Sequence, residues 1–93
     1  MAVTAARITV SSTAVALNGP DTGPSGTGLL IKAAGTGGTN DVELGDATVT
    51  AGTGFLLPAG SAPIQINLTG GEQLYAIRSG AADGTVHVIR TAG

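Results

Sequence analysis

The chain lacks most of the residue types that build chemical sites or cross-link small domains. It has no cysteine and no tryptophan, and only one histidine, one phenylalanine and one tyrosine among its 93 residues. Without cysteine, the chain can form neither a disulfide nor a thiolate zinc site. With His87 as the single histidine, no common zinc ligand set can be assembled from one copy.

Charged residues are also few, and their balance excludes several classes of partner. Six acidic residues oppose four lysines and arginines, so the net charge is −2, and the bases form no cluster along the sequence. A nucleic-acid footprint requires a basic stripe, so no nucleic-acid partner is expected. No apolar run approaches the roughly 20 residues of a membrane span. The N-terminus has no apolar segment long enough for a signal peptide, which predicts synthesis in the cytoplasm.

The sequence predicts no catalytic, cofactor-binding or metal-binding residue, and we expect no enzyme activity. No serine lies in a nucleophile-elbow motif, and the glycine-rich segments do not match a phosphate-binding loop. Asp41, Glu43 and Asp46 are close enough to suggest a weak calcium site, but they lack the alternating ligands and distal glutamate of a calcium loop. The alternative is that they are solvated charges that protect a strand edge from unwanted pairing.

Glycine is abundant, and its distribution predicts the fold. Sixteen Gly and four Pro separate short apolar runs, and no window has apolar residues at the 3.6-residue spacing of a helix. This pattern is typical of an all-β protein. We expect a single small β-sandwich or barrel-like domain of six to eight short, mainly antiparallel strands over residues 7–93. Residues 1–6 are expected to form an extended N-terminal arm.

Apolar alternation places the strands. The expected strands are 28–34, 41–44, 47–50, 64–68, 73–79 and 85–91. Between Arg7 and Leu17 the apolar phase changes at Ser11-Ser12, which predicts a break and two strands that can lie in different sheets. Residues 18–28 form the longest turn-rich segment. Residues 35–40 and 79–84 are expected to be connections of hairpin length, and the Asp83-Gly84 pair suits a turn that requires positive φ.

The only phenylalanine lies in the run Phe55-Leu56-Leu57, between a Gly/Thr-rich approach and a Pro58-Ala59-Gly60 turn. Neighbouring residues of an extended segment point in opposite directions, so the three bulky side chains cannot all point inward. One interpretation is that Phe55 or Leu57 closes one end of the sandwich. The other is that one or two of the three lie exposed and anchor a protein partner.

The segments "RITVSSTAVAL", "GLLIKAAG", "NDVELGDATVTAGTGFLLPAG", "LYAIRSG" and "GTVHVIRT" together resemble small virion proteins of tailed bacteriophages. The resemblance extends from about Arg7 to Arg90 and implies a β-sandwich without catalytic residues. It also implies a capsid decoration (cement) protein that binds the major capsid protein on the outside of the virion. The alternative function is a tail or fibre module that binds a host-surface glycan.

On this interpretation the expected protein contacts are the N-terminal arm and the apolar run. The residues are Ala2, Val3, Thr4, Ala5, Phe55, Leu56 and Leu57. A chain this small gains little net stability from its own core, so we expect stabilisation by oligomerisation or by docking on a larger surface. A homotrimer at a quasi-threefold position of the capsid is favoured, and a dimer or a monomer at each site is the alternative.

Overall fold

The computed structural model describes residues 2–17, 27–68 and 72–92, which contain eight strands. The strands are β1 (Ala2–Val10), β2 (Val15–Ala16), β3 (Thr27–Ala34), β4 (Val42–Gly45), β5 (Phe55–Leu57), β6 (Ile64–Leu68), β7 (Tyr75–Arg78) and β8 (Gly84–Ala92). Within those ranges no helix has the length and apolar character needed to cross a membrane.

The strands form two four-stranded sheets. The first sheet has the order β1-β8-β3-β6, and the second has the order β2-β7-β4-β5. Every described strand pair is antiparallel. The chain changes sheet at each connection except the one between β4 and β5, which pair directly. The predicted all-β fold, a small sandwich of six to eight mainly antiparallel strands, is confirmed.

The predicted break at Ser11-Ser12 marks the first change of sheet. β1 belongs to the first sheet and β2 to the second. Val10 before the break and Leu17 after it are both buried in the core. At the crossing, the Arg78 backbone N–H donates to the Ser11 carbonyl over 2.8 Å, which ties the connection to β7. The break therefore lets apolar residues of opposite phase reach one core.

Residues 2–6, the expected arm, belong to β1. They pair with β8 in the same continuous register as residues 7–10, from Ala2 opposite Ala92 to Val10 opposite Gly84. The pairing does not change at Arg7. A contact between this segment and another protein stays a prediction.

Two connections predicted to be hairpins cross between the sheets. Residues 35–41 join β3 to β4, and residues 79–83 join β7 to β8. The positive φ expected at the Asp83-Gly84 pair is wrong, since the positive-φ residues of the described ranges are Gly35, Gly38, Gly52 and Gly60. A Cβ at position 84 would lie 2.8 Å from the Asn40 carbonyl oxygen, so close packing requires glycine there.

The strand expected at residues 47–50 is a turn. The Val49 N–H donates to the Asp46 carbonyl over 3.1 Å, and Val49 is buried although it lies outside a strand. Local hydrogen bonding replaces strand pairing here because the segment lies within the β4–β5 loop. Most of the predicted turn-rich segment 18–28 lies outside the described residues.

The core lies between the sheets and follows the two-residue alternation of the strands. Leu29, Ile31 and Ala33 of β3 are buried, and so are Val86 and Val88 of β8. The second sheet contributes buried side chains from β4, β5 and β7. On the opposite side of β3, Leu30 and Lys32 are exposed. The first sheet thus presents one face to the core and one to the outside.

Leu29→Ala should destabilise the domain by about 2–5 kcal/mol, because it removes a buried side chain and leaves a cavity. Leu30→Ala, one residue further along, should cost under about 1 kcal/mol because that side chain faces outward. Urea unfolding of both variants measures the difference. Equal losses would contradict the assignment of the two faces.

Candidate functional site

The run Phe55-Leu56-Leu57 forms β5, the edge strand of the second sheet, and pairs only with β4 among the described strands. Leu57 is 2% exposed and belongs to the core, whereas Phe55 is 67% exposed and Leu56 is 49% exposed. Two of the three bulky side chains are therefore accessible, and alternation accounts for Leu56, which points to the opposite side from Phe55 and Leu57. Leu57, and not Phe55, fills the interior.

Phe55 lies at the open side of the sandwich. By register it shares the core-facing side with Leu44, but no strand of the described chain lies beyond β5 to cover it. A groove of about 420 Å³ separates it from β6, and Ile64 and Ile66 contribute to the lining. Leu56, opposite Glu43, points to the outer side of the same sheet. The side chains of Phe55 and Leu56 therefore project from opposite sides of the same short strand.

Glu43 holds the loop that leads into β5. Its side chain points away from the core, yet the residue is only 5% exposed. The Gly52 N–H donates to both carboxylate oxygens, over 3.0 and 2.9 Å, and the Gly54 N–H donates to Oε1 over 2.9 Å. A buried carboxylate with backbone donors is strongly held because each bond is charge-assisted. The expectation that Glu43 is a solvated edge charge is wrong, since the loop covers it.

These hydrogen bonds lower the pKa of Glu43 below its ordinary value. The Gly52 N–H is the main cause, and the hydrogen bond from the Ser79 side chain comes second. Burial acts in the opposite direction, and the Gly54 N–H adds a smaller lowering. The carboxylate is therefore stabilised in its ionised form by donors from two loops.

Asp41 holds the other end of β5. Its Oδ1 accepts the Ala59 N–H over 2.8 Å and the Gly38 N–H over 3.0 Å. The next residue in the turn, Gly60, donates its N–H to the Ala33 carbonyl over 2.9 Å. Two acids at the start of β4 thus fix the residues just before and just after the exposed segment.

Glycine is required in the loop before Phe55 for two different reasons. Gly52 has a φ of 93°, a conformation that residues with a Cβ rarely adopt. At Gly54 a Cβ would lie 2.8 Å from the Leu44 carbonyl oxygen and 2.9 Å from the Glu43 Cβ. The glycines of the segment before Phe55 therefore allow the backbone to come close enough for its N–H groups to donate to Glu43.

The three acids suggested as calcium ligands all accept hydrogen bonds within the chain. Asp41 and Glu43 accept backbone N–H groups, and Asp46 Oδ1 accepts from the Thr48 N–H and hydroxyl over 2.9 and 2.6 Å. In residues 2–17, 27–68 and 72–92, no three His, Cys, Asp or Glu side chains are grouped as metal ligands would be.

The sequence did not reveal a cluster of basic side chains on the first sheet. In register, Arg7 lies opposite His87, and His87 lies opposite Lys32. We call these three residues the basic row. His87 faces outward, as expected for the polar face of its strand. The row could not be found from the sequence because its members are far apart in the chain and only strand order brings them together.

A scan against protein-family models finds no match to this chain, and a search of curated proteins finds none either. Among solved structures, the chain is similar to a protein described under "Bacillus endospore appendages form a novel family of disulfide-linked pili". The identity is 18% and the TM-score 0.58, over 98% of this chain and 85% of that one. At this identity the likeness shows the fold alone.

Lowering the pH should reduce the free energy of unfolding through protonation of Glu43. A carboxylate whose pKa is lowered by folding contributes stability above its unfolded pKa of about 4.3, and this contribution is lost as pH falls through the folded value. Glu43→Gln should cost about 1–3 kcal/mol at pH 7, because the amide presents a donor to Gly52 in place of an acceptor.

Denaturant unfolding at pH 7 and pH 3 tests this expectation, and the gap between Glu43→Gln and wild type should narrow at the lower pH. Asp83→Asn is the control, since its ion pair with Arg78 is exposed and worth at most about 1 kcal/mol. A constant gap at both pH values would mean that the charge of Glu43 does not matter.

Gly54→Ala should destabilise the domain by about 1–3 kcal/mol, because the added methyl group overlaps the Leu44 carbonyl and the Glu43 side chain. Gly37→Ala is the matched control, since its nearest neighbour would be the Ala59 carbonyl oxygen at 3.5 Å. Thermal unfolding should show little change for the control. A Gly54→Ala variant as stable as wild type would contradict the packing of this loop.

Proposed function

We propose that this protein is a non-enzymatic structural protein that binds the outside of a bacteriophage capsid in many copies and stabilises or decorates it. The observation that carries the proposal is the exposure of Phe55 and Leu56 on a strand fixed at both ends by Asp41 and Glu43. Exposed apolar side chains in a rigid setting are the usual anchors of a protein interface.

The resemblance to phage virion proteins supports this assignment. Its most specific part, "LGDATVTAGTGFLLPAG", runs from Leu44 to Gly60. It includes the loop whose backbone N–H groups bind Glu43 and the exposed strand β5. The proposed partner is the major capsid protein, and the proposed location is the capsid surface after synthesis in the host cytoplasm. A homotrimer is the proposed assembly, since it would bring three Phe55-Leu56 segments to one axis.

The solved structure with a similar fold is described as belonging to disulfide-linked pili. Its fold is therefore compatible with a structural role for the present chain. The disulfide linkage named for those pili cannot occur here, because this chain has no cysteine.

The glycan-binding alternative gains no support from the aromatic residues. A shallow sugar site uses aromatic platforms, and the two available rings are Phe55 and Tyr75. Phe55 is on the core-facing side of its sheet, opposite Leu44, whereas Tyr75 is one residue out of phase with the buried Ala76. The two rings therefore point to opposite faces and do not form one platform.

Phe55→Ser and Leu56→Ser should each keep the β-sheet circular dichroism spectrum and reduce capsid binding or self-association. Loss of one anchor from an interface removes about 1.5–3 kcal/mol of apolar burial. Leu57→Ser should instead unfold the domain because it places a hydroxyl in the core. Ala51→Ser, an exposed change in the preceding loop, should affect neither property.

Binding is measured as the number of copies per purified particle by quantitative mass spectrometry. Hundreds of wild-type copies per virion support a capsid role, and a handful would indicate the tail. If both serine variants fold and occupy particles like wild type, the strand is not the capsid-binding surface.

A further inference from the structure

The outward face of the first sheet carries a second surface, separate from β5. Leu29 and Ile31 point into the core, so Leu30 and Lys32 point outward, and the same alternation applies to β8. The basic row crosses this face from β1 through β8 to β3. Arg7 and Lys32 are exposed and His87 is half-buried between them.

No acid in the same sheet neutralises the basic row. The four strands of this sheet contain no aspartate or glutamate. Arg7 and Lys32 lie on either side of β8, two strand spacings or about 10 Å apart, so this face carries two exposed positive charges. A negatively charged partner would complement them.

An apolar row lies beside the basic row, two residues or about 7 Å along the strands. It consists of Ala5, Ile89 and Leu30, which are in register with one another. Ile89 is 47% exposed and Leu30 is 44% exposed, although both are large apolar residues. Together the two rows line a shallow groove of about 430 Å³ that also contacts Pro63.

The described acids of a second copy are a poor source of the matching charge. The acids of the described chain are already engaged within their own copy: Asp41 and Glu43 by backbone N–H groups, Asp46 by Thr48, and Asp83 by Arg78. Glu72 also has a partner. A different molecule is therefore the better source of carboxylates for this face.

Nucleic acid is also a poor match. Affinity for nucleic acid comes mainly from neutralising several phosphates with lysine and arginine, and this row offers only two such side chains, Arg7 and Lys32. The apolar row next to it would face a charged backbone without a favourable contact. A protein surface that combines carboxylates with an apolar side chain complements both rows.

We propose that the outward face of the first sheet binds an acidic surface of another protein. The partner's carboxylates lie over the basic row, and its apolar side chain enters the groove between Leu30 and Ile89. This inference does not depend on the capsid assignment, since it concerns a face that the Phe55-Leu56 segment does not reach.

The test uses ¹⁵N-labelled protein and three nine-residue peptides followed by NMR. The first peptide alternates glutamate with leucine, the second lysine with leucine, and the third glutamate with serine. The first should shift the amide signals of Ala5, Leu30, His87 and Ile89, the second should not bind, and the third should bind more weakly. Equal binding of the lysine peptide, or shifts confined to other strands, would overturn the proposal.

Lys32→Glu should weaken binding of the glutamate–leucine peptide about tenfold or more without lowering the melting temperature, since Lys32 is exposed on the outer face of the sheet. Arg78→Glu is the matched control, because it changes the net charge equally but lies in the other sheet. Its peptide affinity should stay close to that of wild type. Equal loss in both variants would mean that only net charge matters.

Two further measurements test whether a second copy of the chain or DNA occupies this face instead. Sedimentation of wild type and Ile89→Ser reveals whether the face joins two copies, and a wild-type dimer dissociated by this change would refute the proposal. Binding of a 20-base-pair duplex DNA at 150 mM salt more tightly than the peptide would refute it as well. Failure of capsid binding with retained peptide binding would separate this inference from the proposed function.

Discussion

The carboxylate of Glu43 is the interaction on which the exposed part of this protein depends. It is buried beneath a loop, and it is satisfied there by N–H groups of Gly52 and Gly54 and by the Ser79 side chain. Burial of an ionised group is tolerated only when such donors replace water. The loop in turn has to be rich in glycine, because its backbone must approach the carboxylate closely.

The consequence is a rigid setting for bulky apolar side chains that have no place in the core. β5 is only three residues long, and an edge strand of that length would have little stability by itself. Asp41 and Glu43 hold the residues on either side of it, so β5 stays paired with β4 although Phe55 and Leu56 are exposed. Preorganisation of this kind reduces the entropy lost when a partner binds.

The repeated change of sheet has a further effect on the surface. Strands that are distant in the chain become neighbours, so residues with no sequence relationship form rows. β1 and β8, at opposite ends of the described chain, pair along nine residues and bring Arg7 next to His87. Short edge strands such as β2 and β5 limit unwanted pairing at the margins of the second sheet.

The sequence by itself determined the elements whose signals are local. The alternation of apolar residues predicted β6 at Ile64–Leu68. The change of apolar phase at Ser11-Ser12 predicted the break at which the chain passes to the second sheet. Alternation also required that part of Phe55-Leu56-Leu57 be exposed. These predictions succeed because side-chain direction in a strand depends only on position along the chain.

Only the tertiary structure decided the features that depend on which segments meet. Residues 35–40 and 79–84 have turn chemistry suited to a hairpin, but turn chemistry does not specify whether the next strand joins the same sheet. Glu43 looks like a solvated strand charge until a loop nine residues away is seen to cover it. The basic row depends on strand order, which is set by packing of the whole core and not by any local pattern.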